Sequence, residues 1–329
     1  MSVFIRLHRT AATLLFAAIL CAPIALGAEP VRVIFDTDIG NDVDDALALA
    51  ILHGLESRAE AKILAVTITK DNKYAAPYID CVNTFYGRPG IPIGVVKNGK
   101  TPEDSAMIRV PATRRNPDGS FVYPHRITDG ARAPDAVSVL RSVLLKQPDA
   151  SVVVIQVGFS TNLARLLDAA PDLVARKVRL LSAMAGAFPI GNPEYNVKTD
   201  IPAARRVFGD WPSPIVFSGF EIGQALLFPG VNIEHDFAWV ANHPVAEAYR
   251  NYMPMPYDRP TWDLTAALYA VRGDRGYFGL SEPGMVQVDD EGRTIFKADA
   301  KGTRRYLTLD PAQKGRTMQA LILLASQPR

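Results

Sequence analysis

Residues 31–52 read VRVIFDTDIGNDVDDALALAIL. Val31–Phe35 is a β-branched, apolar run of the kind that fills a buried strand. It breaks into a turn that carries five carboxylates in ten positions, Asp36, Asp38, Asp42, Asp44 and Asp45, and Ala46–Leu55 then takes on helical character. The alternation continues outward. Ile63–Thr69 and Ile91–Val96 read as strands with the helix Pro77–Tyr86 between them. Ala136–Lys146, Asn162–Asp168, Pro202–Phe208 and Thr265–Val271 read as helices, and Ser151–Val157, Val178–Met184 and Ile215–Ser218 as strands. Residues 97–133, rich in Pro, Gly and Arg, have no period and suggest a long functional loop. Strands alternating with helices predict a single-domain α/β fold, a mostly parallel, Rossmann-like sheet with helices on both faces. Ligands in such folds sit beyond the carboxyl ends of the strands, which directs attention to the turns after Phe35, Thr69, Val157 and Met184.

The chain has 329 residues, 48% of them hydrophobic and 21% charged, ample for a buried core. Its start differs from the rest. Arg6, His8 and Arg9 precede an apolar segment from Ala11 to Leu26, and Ala25, Gly27 and Ala28 offer a cleavage site, so residues 1–28 read as a signal peptide and 29–329 as the single mature domain. The apolar run is short for a bilayer span, and Leu20 before Cys21 argues against lipid attachment, so no stable membrane anchor is expected. An exported protein, periplasmic or secreted, follows. Loss of Arg6 and Arg9 leaves 34 basic against 34 acidic residues, a balance that does not suggest nucleic acid as a partner. Cys81 alone survives processing, which excludes an internal disulfide.

Five carboxylates at a ligand-binding edge repel one another unless a cation neutralises them. With no His or Cys nearby, the donors are all oxygen, which favours a hard ion such as calcium or magnesium over zinc. The spacing is not that of an EF-hand. Asp36-Thr37-Asp38 shares its pattern with aspartyl phosphatases, but the lysine and later acidic pair of that class are not evident.

The stretch DTDIGNDVDDALALAIL resembles the N-terminal signature of the inosine-uridine-preferring nucleoside hydrolase family, and spaced motifs in the family's order cover most of the mature chain. The turn is two residues longer than the family's common form. Matched from its ends, Asp38 resembles the catalytic base and a calcium ligand, Asp45 a second ligand, and Asp44 the carboxylate that meets the ribose hydroxyls. Asp36 reads as structural, and Asp42 is left without an assigned role. Gly158-Phe159-Ser160-Thr161-Asn162-Leu163 is similar to the stretch whose threonine gives calcium a backbone carbonyl, here Thr161. Gly191-Asn192-Pro193-Glu194-Tyr195-Asn196 is similar to the sugar-gripping loop, through Asn192, Glu194 and Asn196. Trp262-Asp263-Leu264-Thr265 resembles the last calcium-binding carboxylate, Asp263, with Trp262 where many members carry a proton-donating His. Asn72, after the strand Ile63–Thr69, is a further candidate sugar contact.

The resemblance implies a nucleoside hydrolase fold, bound Ca2+, a small-molecule nucleoside substrate and a homodimer or homotetramer. It also implies one-step attack of water on C1′ with inversion, Asp38 taking the water's proton. Trp262 in place of His resembles a purine-preferring branch in which an aromatic residue stacks on the base. Leaving-group assistance is open: Tyr249, Tyr252, Tyr257, His125, His235 and His243 are all weak candidates. Two rival readings stay in view. One is an exported nucleoside- or sugar-binding protein without catalysis. The other is a metal-dependent phosphohydrolase, for which the arginines of residues 109–132 are the candidate phosphate ligands.

Overall fold

In the computed structural model, which describes residues 29–328, the opening run forms β1 (Val31–Thr37), fully buried from Val33 onward. After the acidic turn come α1 (Asp44–Ser57), β2 (Ala61–Lys70), α2 (Ala75–Phe85), β3 (Ile93–Lys100), α3 (Ala106–Thr113) and α4 (Ala136–Leu145). Next are β4 (Val152–Gln156), α5 (Thr161–Ala169), α6 (Pro171–Lys177), β5 (Val178–Met184), α7 (Tyr195–Thr199), α8 (Ile201–Asp210) and β6 (Ile215–Ser218). Shorter pieces follow: α9 (Phe220–Gln224), β7 (Leu227–Phe228), α10 (Gly230–His235), α11 (Pro244–Tyr252), β8 (Arg259–Pro260) and α12 (Trp262–Arg272). The chain closes with β9 (Gly279–Leu280), β10 (Gly284–Val288), β11 (Thr294–Ala298), β12 (Arg304–Thr308) and α13 (Pro311–Ala325).

The main sheet runs β11-β10-β12-β6-β5-β4-β1-β2-β3, with β9 alongside β12. From β12 to β3 all neighbours are parallel, and β9, β10 and β11 add antiparallel pairs at the far side. Alternate β1 side chains serve opposite layers: Val33 and Phe35 join a core with α1, α2, α11, α12 and α13, whereas Ile34 joins one with α4, α5 and α8. This is the expected single-domain α/β sheet covered on both faces. Strand order reverses between β1, which leads to β2 on one side, and β4 on the other. That switch point opens a crevice outside the carboxyl end of β1, where the acidic turn lies.

α1 is buried from Asp44 to Leu55, wedged between the sheet, α12 and α13. Gly54 makes that approach possible, since a Cβ there would stand 2.6 Å from the Leu324 carbonyl oxygen. Several regions differ from the sequence reading, among them residues 219–261, which had no assigned element and hold α9, β7, α10, α11 and β8. Residues 97–133 are not wholly loop but hold α3, which packs against α11 and α2 despite Pro111 in its interior; tertiary packing overrides a poor helical signal. The stretch after α12, unassigned from sequence, supplies the antiparallel strands and α13. No described helix is long and apolar enough to cross a membrane, and the segment read as a signal peptide lies outside the described residues.

Candidate active site

The turn after β1 is tied down on every side. Thr37 Oγ1 donates to Asp45 and accepts the Ile39 N–H at 3.1 Å, joining the end of β1 to the start of α1. Gly40 adopts φ +109°, in the region that favours glycine, and a Cβ there would meet Ile108 Cδ1 at 2.6 Å. Asn41, in the lengthened part of the turn, donates Nδ2 to Asp38 Oδ2 at 2.7 Å. Its Oδ1 accepts Lys70 Nζ at 2.8 Å, and Lys70 donates again to Thr101 O at 2.7 Å. Asp36 accepts from Thr67 Oγ1 at 2.5 Å and Asn162 Nδ2 at 2.9 Å and is fully buried, in keeping with its structural assignment. Gly158, just past β4, closes the floor: a Cβ would lie 2.6 Å from Asp38 N and 2.4 Å from Thr69 Oγ1.

Carboxylate oxygens of Asp42, Asp45 and Asp263 lie within 4.8 Å of one another. Asp263, in the first turn of α12, donates its N–H to Asp44 Oδ2 at 3.1 Å. Asp44 Oδ1 and Asp45 Oδ2 are buried and accept no hydrogen bond from any described residue. Arg259 is the cation in contact: Nη2 lies 2.7 Å from Asp42 Oδ2 and 3.5 Å from Asp44 Oδ1. Burial first, and then the charge of Asp42, push the Asp38 carboxyl up to about 8. Burial and mutual repulsion likewise hold Asp44, Asp45 and Asp263 well above the usual carboxylate range. One guanidinium does not neutralise such a group in a low-dielectric site. The orphaned buried oxygens and the all-oxygen donor set fit a hard divalent cation, which Asp42, Asp45 and Asp263 would hold.

A cavity of 590 Å³ opens beside this cluster. Asp38, Asp42 and Asp263 line it, together with Asn192, Glu194 and Asn196 from the segment after β5 and with Trp262. Asp44 and Asp45 are buried and are not part of the lining. Glu194 caps α7, accepting the N–H groups of Asn196, Val197 and Gly186 at 2.8, 3.2 and 3.0 Å. Asn196 Nδ2 donates to Val157 O at 2.7 Å and Met184 O at 3.2 Å, leaving its carbonyl oxygen for a ligand. Asn192 is exposed at the rim. Trp262 donates Nε1 to Phe220 O at 3.0 Å, and its ring lies 5.3 Å from that of Phe220.

One expected residue lies elsewhere. Asn72 does not line this cavity: its amide donates to Pro102 O at 3.2 Å and Glu103 O at 3.0 Å and holds the following loop. Thr161 is buried at the start of α5 and gives its hydroxyl to Asp200 at 2.5 Å; the role the resemblance implies for it belongs to its backbone carbonyl, not to this side chain. None of the six weak candidates for leaving-group assistance lines the cavity. Tyr249 stacks on Tyr257, Tyr252 lies under Arg259, His125 bonds the Tyr123 carbonyl, and His243 caps α11. The arginines of residues 109–132 are also engaged elsewhere, Arg109 with Asp104, Arg114 with Glu247, Arg115 over Phe121 and Arg132 with Asp129. Arg259, Phe220 and Glu221 line the cavity, and sequence reasoning missed all three. The one local signal was the position of Arg259 just before the Trp262-Asp263 motif.

The sequence model described as inosine-uridine preferring nucleoside hydrolase matches residues 33–323. A protein of Salmonella agona named pyrimidine-specific ribonucleoside hydrolase RihA is 27% identical over 220 residues, covering 61% of this chain and 64% of its own length. The chain thus spans less than two-thirds of that relative. Among solved structures, an inosine-uridine preferring nucleoside hydrolase from Bacillus anthracis superposes with a TM-score of 0.68 at 19% identity, over 90% of this chain and 99% of that one. A purine-preferring ribonucleoside hydrolase from Gardnerella vaginalis does so with a TM-score of 0.65 at 21% identity, again over 90% and 99%. At these identities the superpositions speak to the fold.

Proposed function

We propose that this chain, which belongs to the inosine-uridine preferring nucleoside hydrolase family, hydrolyses the N-glycosidic bond of ribonucleosides in a calcium-dependent reaction, releasing free base and ribose. The observation that carries the reading is the carboxylate cluster at the strand-order switch point, with Asp38 exposed to a cavity large enough for a nucleoside. Calcium held by Asp42, Asp45 and Asp263 would supply charge neutralisation and orient water and sugar hydroxyls. Asp38, steadied by Asn41, receives the proton of the attacking water. Glu194 and Asn196 accept from ribose hydroxyls through their side-chain oxygens and Asn192 meets them at the rim, while Asp44, buried behind the cluster, holds the Asp263 N–H. The negative lining favours the cationic, oxocarbenium-like sugar of the transition state.

The Trp262–Phe220 wall supports a purine as the better base, since a larger ring gains more from stacking. The name of the Salmonella relative points the other way, and the test is therefore direct. Reducing sugar is measured from inosine, adenosine, guanosine, uridine and cytidine, with and without a calcium chelator. Sugar release that vanishes with chelator and returns with added calcium is the expected result, with purines ahead; a folded protein inactive on all five sinks the reading. Export, read from residues 1–28, and assembly as a homodimer or homotetramer belong to the same proposal.

A further inference from the structure

Outside the acidic turn and Asp263, the ionisable side chains lining the cavity are Glu194, Tyr195, Lys198, Glu221 and Arg259; none is a histidine. Glu194 has both oxygens committed to three backbone N–H groups. Arg259 is paired with Asp42 and Asp44 and does not give up its proton. Tyr195 and Lys198 stand together at the exposed rim, Nζ 5.8 Å from the ring, and burial raises the phenol further from neutrality. Glu221 is different. It follows β6 and so belongs to the same carboxyl edge of the sheet as the acidic turn. Its Oε2 accepts the Phe188 N–H at 3.2 Å, whereas Oε1 is shielded from water and has no hydrogen-bond partner among the described residues. Its neighbour Phe220 is joined to Trp262 by ring contact and by the indole N–H, so carboxyl and aromatic rings belong to one wall of the cavity.

We propose that Glu221 is the proton donor to the departing base, a catalytic role that rests on the nucleoside-hydrolase reading. As the C1′–N bond breaks, its electron pair moves into the base and the Glu221 carboxyl gives its proton to a ring nitrogen or carbonyl oxygen of that base. Water bonds to C1′ and passes its proton to Asp38. Proton exchange with solvent then returns Asp38 to carboxylate and Glu221 to acid, so one water is consumed and base and ribose leave neutral. Burial, opposed in part by backbone N–H groups, holds the Glu221 carboxyl above the usual range. The other charged and titratable groups lining the cavity are Asp38 and Asp42 in the turn after β1, Glu194, Tyr195 and Lys198 around α7, and Arg259 and Asp263 beside α12.

The experiment compares wild type with Glu221→Gln and Glu221→Asp on the best nucleoside and on 4-nitrophenyl β-D-riboside, whose leaving group departs without a proton. Glu221→Gln should lose about 100-fold or more in kcat on the nucleoside, the typical worth of a general acid. It should keep turnover of the nitrophenyl riboside, which also reports that the variant is folded. The alkaline limb of the wild-type kcat profile should disappear in Glu221→Gln and persist in Glu221→Asp. Unchanged nucleoside turnover in Glu221→Gln, or equal losses on both substrates, overturns the assignment. If wild type hydrolyses neither riboside, the hydrolase reading itself fails and takes this one with it.

Discussion

Asp38 sits where three demands meet. It lines the cavity, it is only 4% exposed, and one of its oxygens is held by Asn41, which Lys70 in turn holds. A carboxylate oriented in this way is set for proton abstraction, and its removal should be felt in chemistry rather than in folding. Asp38→Asn keeps the shape and removes the proposed base. It should lower kcat by about 100-fold or more, while the melting temperature without cation stays equal to or above that of wild type, because the cost of burying a carboxyl that must keep its proton up to about pH 8 has gone. Full activity in this variant would show that another group takes the proton.

At the scale of elements, the site depends on how closely the end of β4 approaches the turn after β1. Gly158 is the contact: any Cβ there meets Asp38 N, Thr37 C and Thr69 Oγ1 at 2.6, 2.8 and 2.4 Å, two of them backbone atoms that cannot step aside. Gly158→Ala should cost about 1–3 kcal/mol, as overpacking generally does, and should weaken calcium binding in a titration. Gly90→Ala, with nothing within 4 Å, should leave both unchanged. The parts of the site that were legible in sequence are those whose chemistry is contiguous. β1, the acidic turn and α1 announce themselves because strand, ligands and helix follow one another without a break, and the segments around Thr161, Glu194 and Asp263 each sit at the start of a helix. Arg259 and Glu221 were illegible because β8 has two residues and α9 five. Elements so short have no period, and only tertiary pairing fixes where their side chains point. Asn72 misled for a related reason. The turn after β2 looks equivalent to its neighbours along the sheet edge, but its amide is drawn off by the backbone at 102–103.

For the whole molecule, the buried carboxylates couple fold stability to pH and to the cation. In the cation-free protein Asp36 is raised from 3.8 to about 7 and Asp38 from 3.8 to about 8. Each folded-state value lies above the unfolded one, so the contribution to stability is full below pH 3.8 and is lost as pH rises through about 7 and about 8. His53, pushed by burial from 6.5 down to about 3, works in the opposite sense but only below pH 6.5. Between pH 6.5 and about 8.5, then, the melting temperature in chelator should fall with rising pH, and calcium should raise it and flatten the slope. A chelated protein whose melting temperature climbs over that window would mean that these carboxyls are ionised without help. The same sheet has a kinetic consequence. Among the described residues β1 is the first strand to be synthesised, yet its central place requires β4, with Arg32 opposite Val152, and β12 pairs back onto β6, Arg304 opposite Ile215. Loop closure on that scale must precede any reward from the pairing, so the acidic turn cannot assemble early. Folding of this chain should be slow and governed by the docking of β4 against β1, with cation binding a late event that captures the finished sheet.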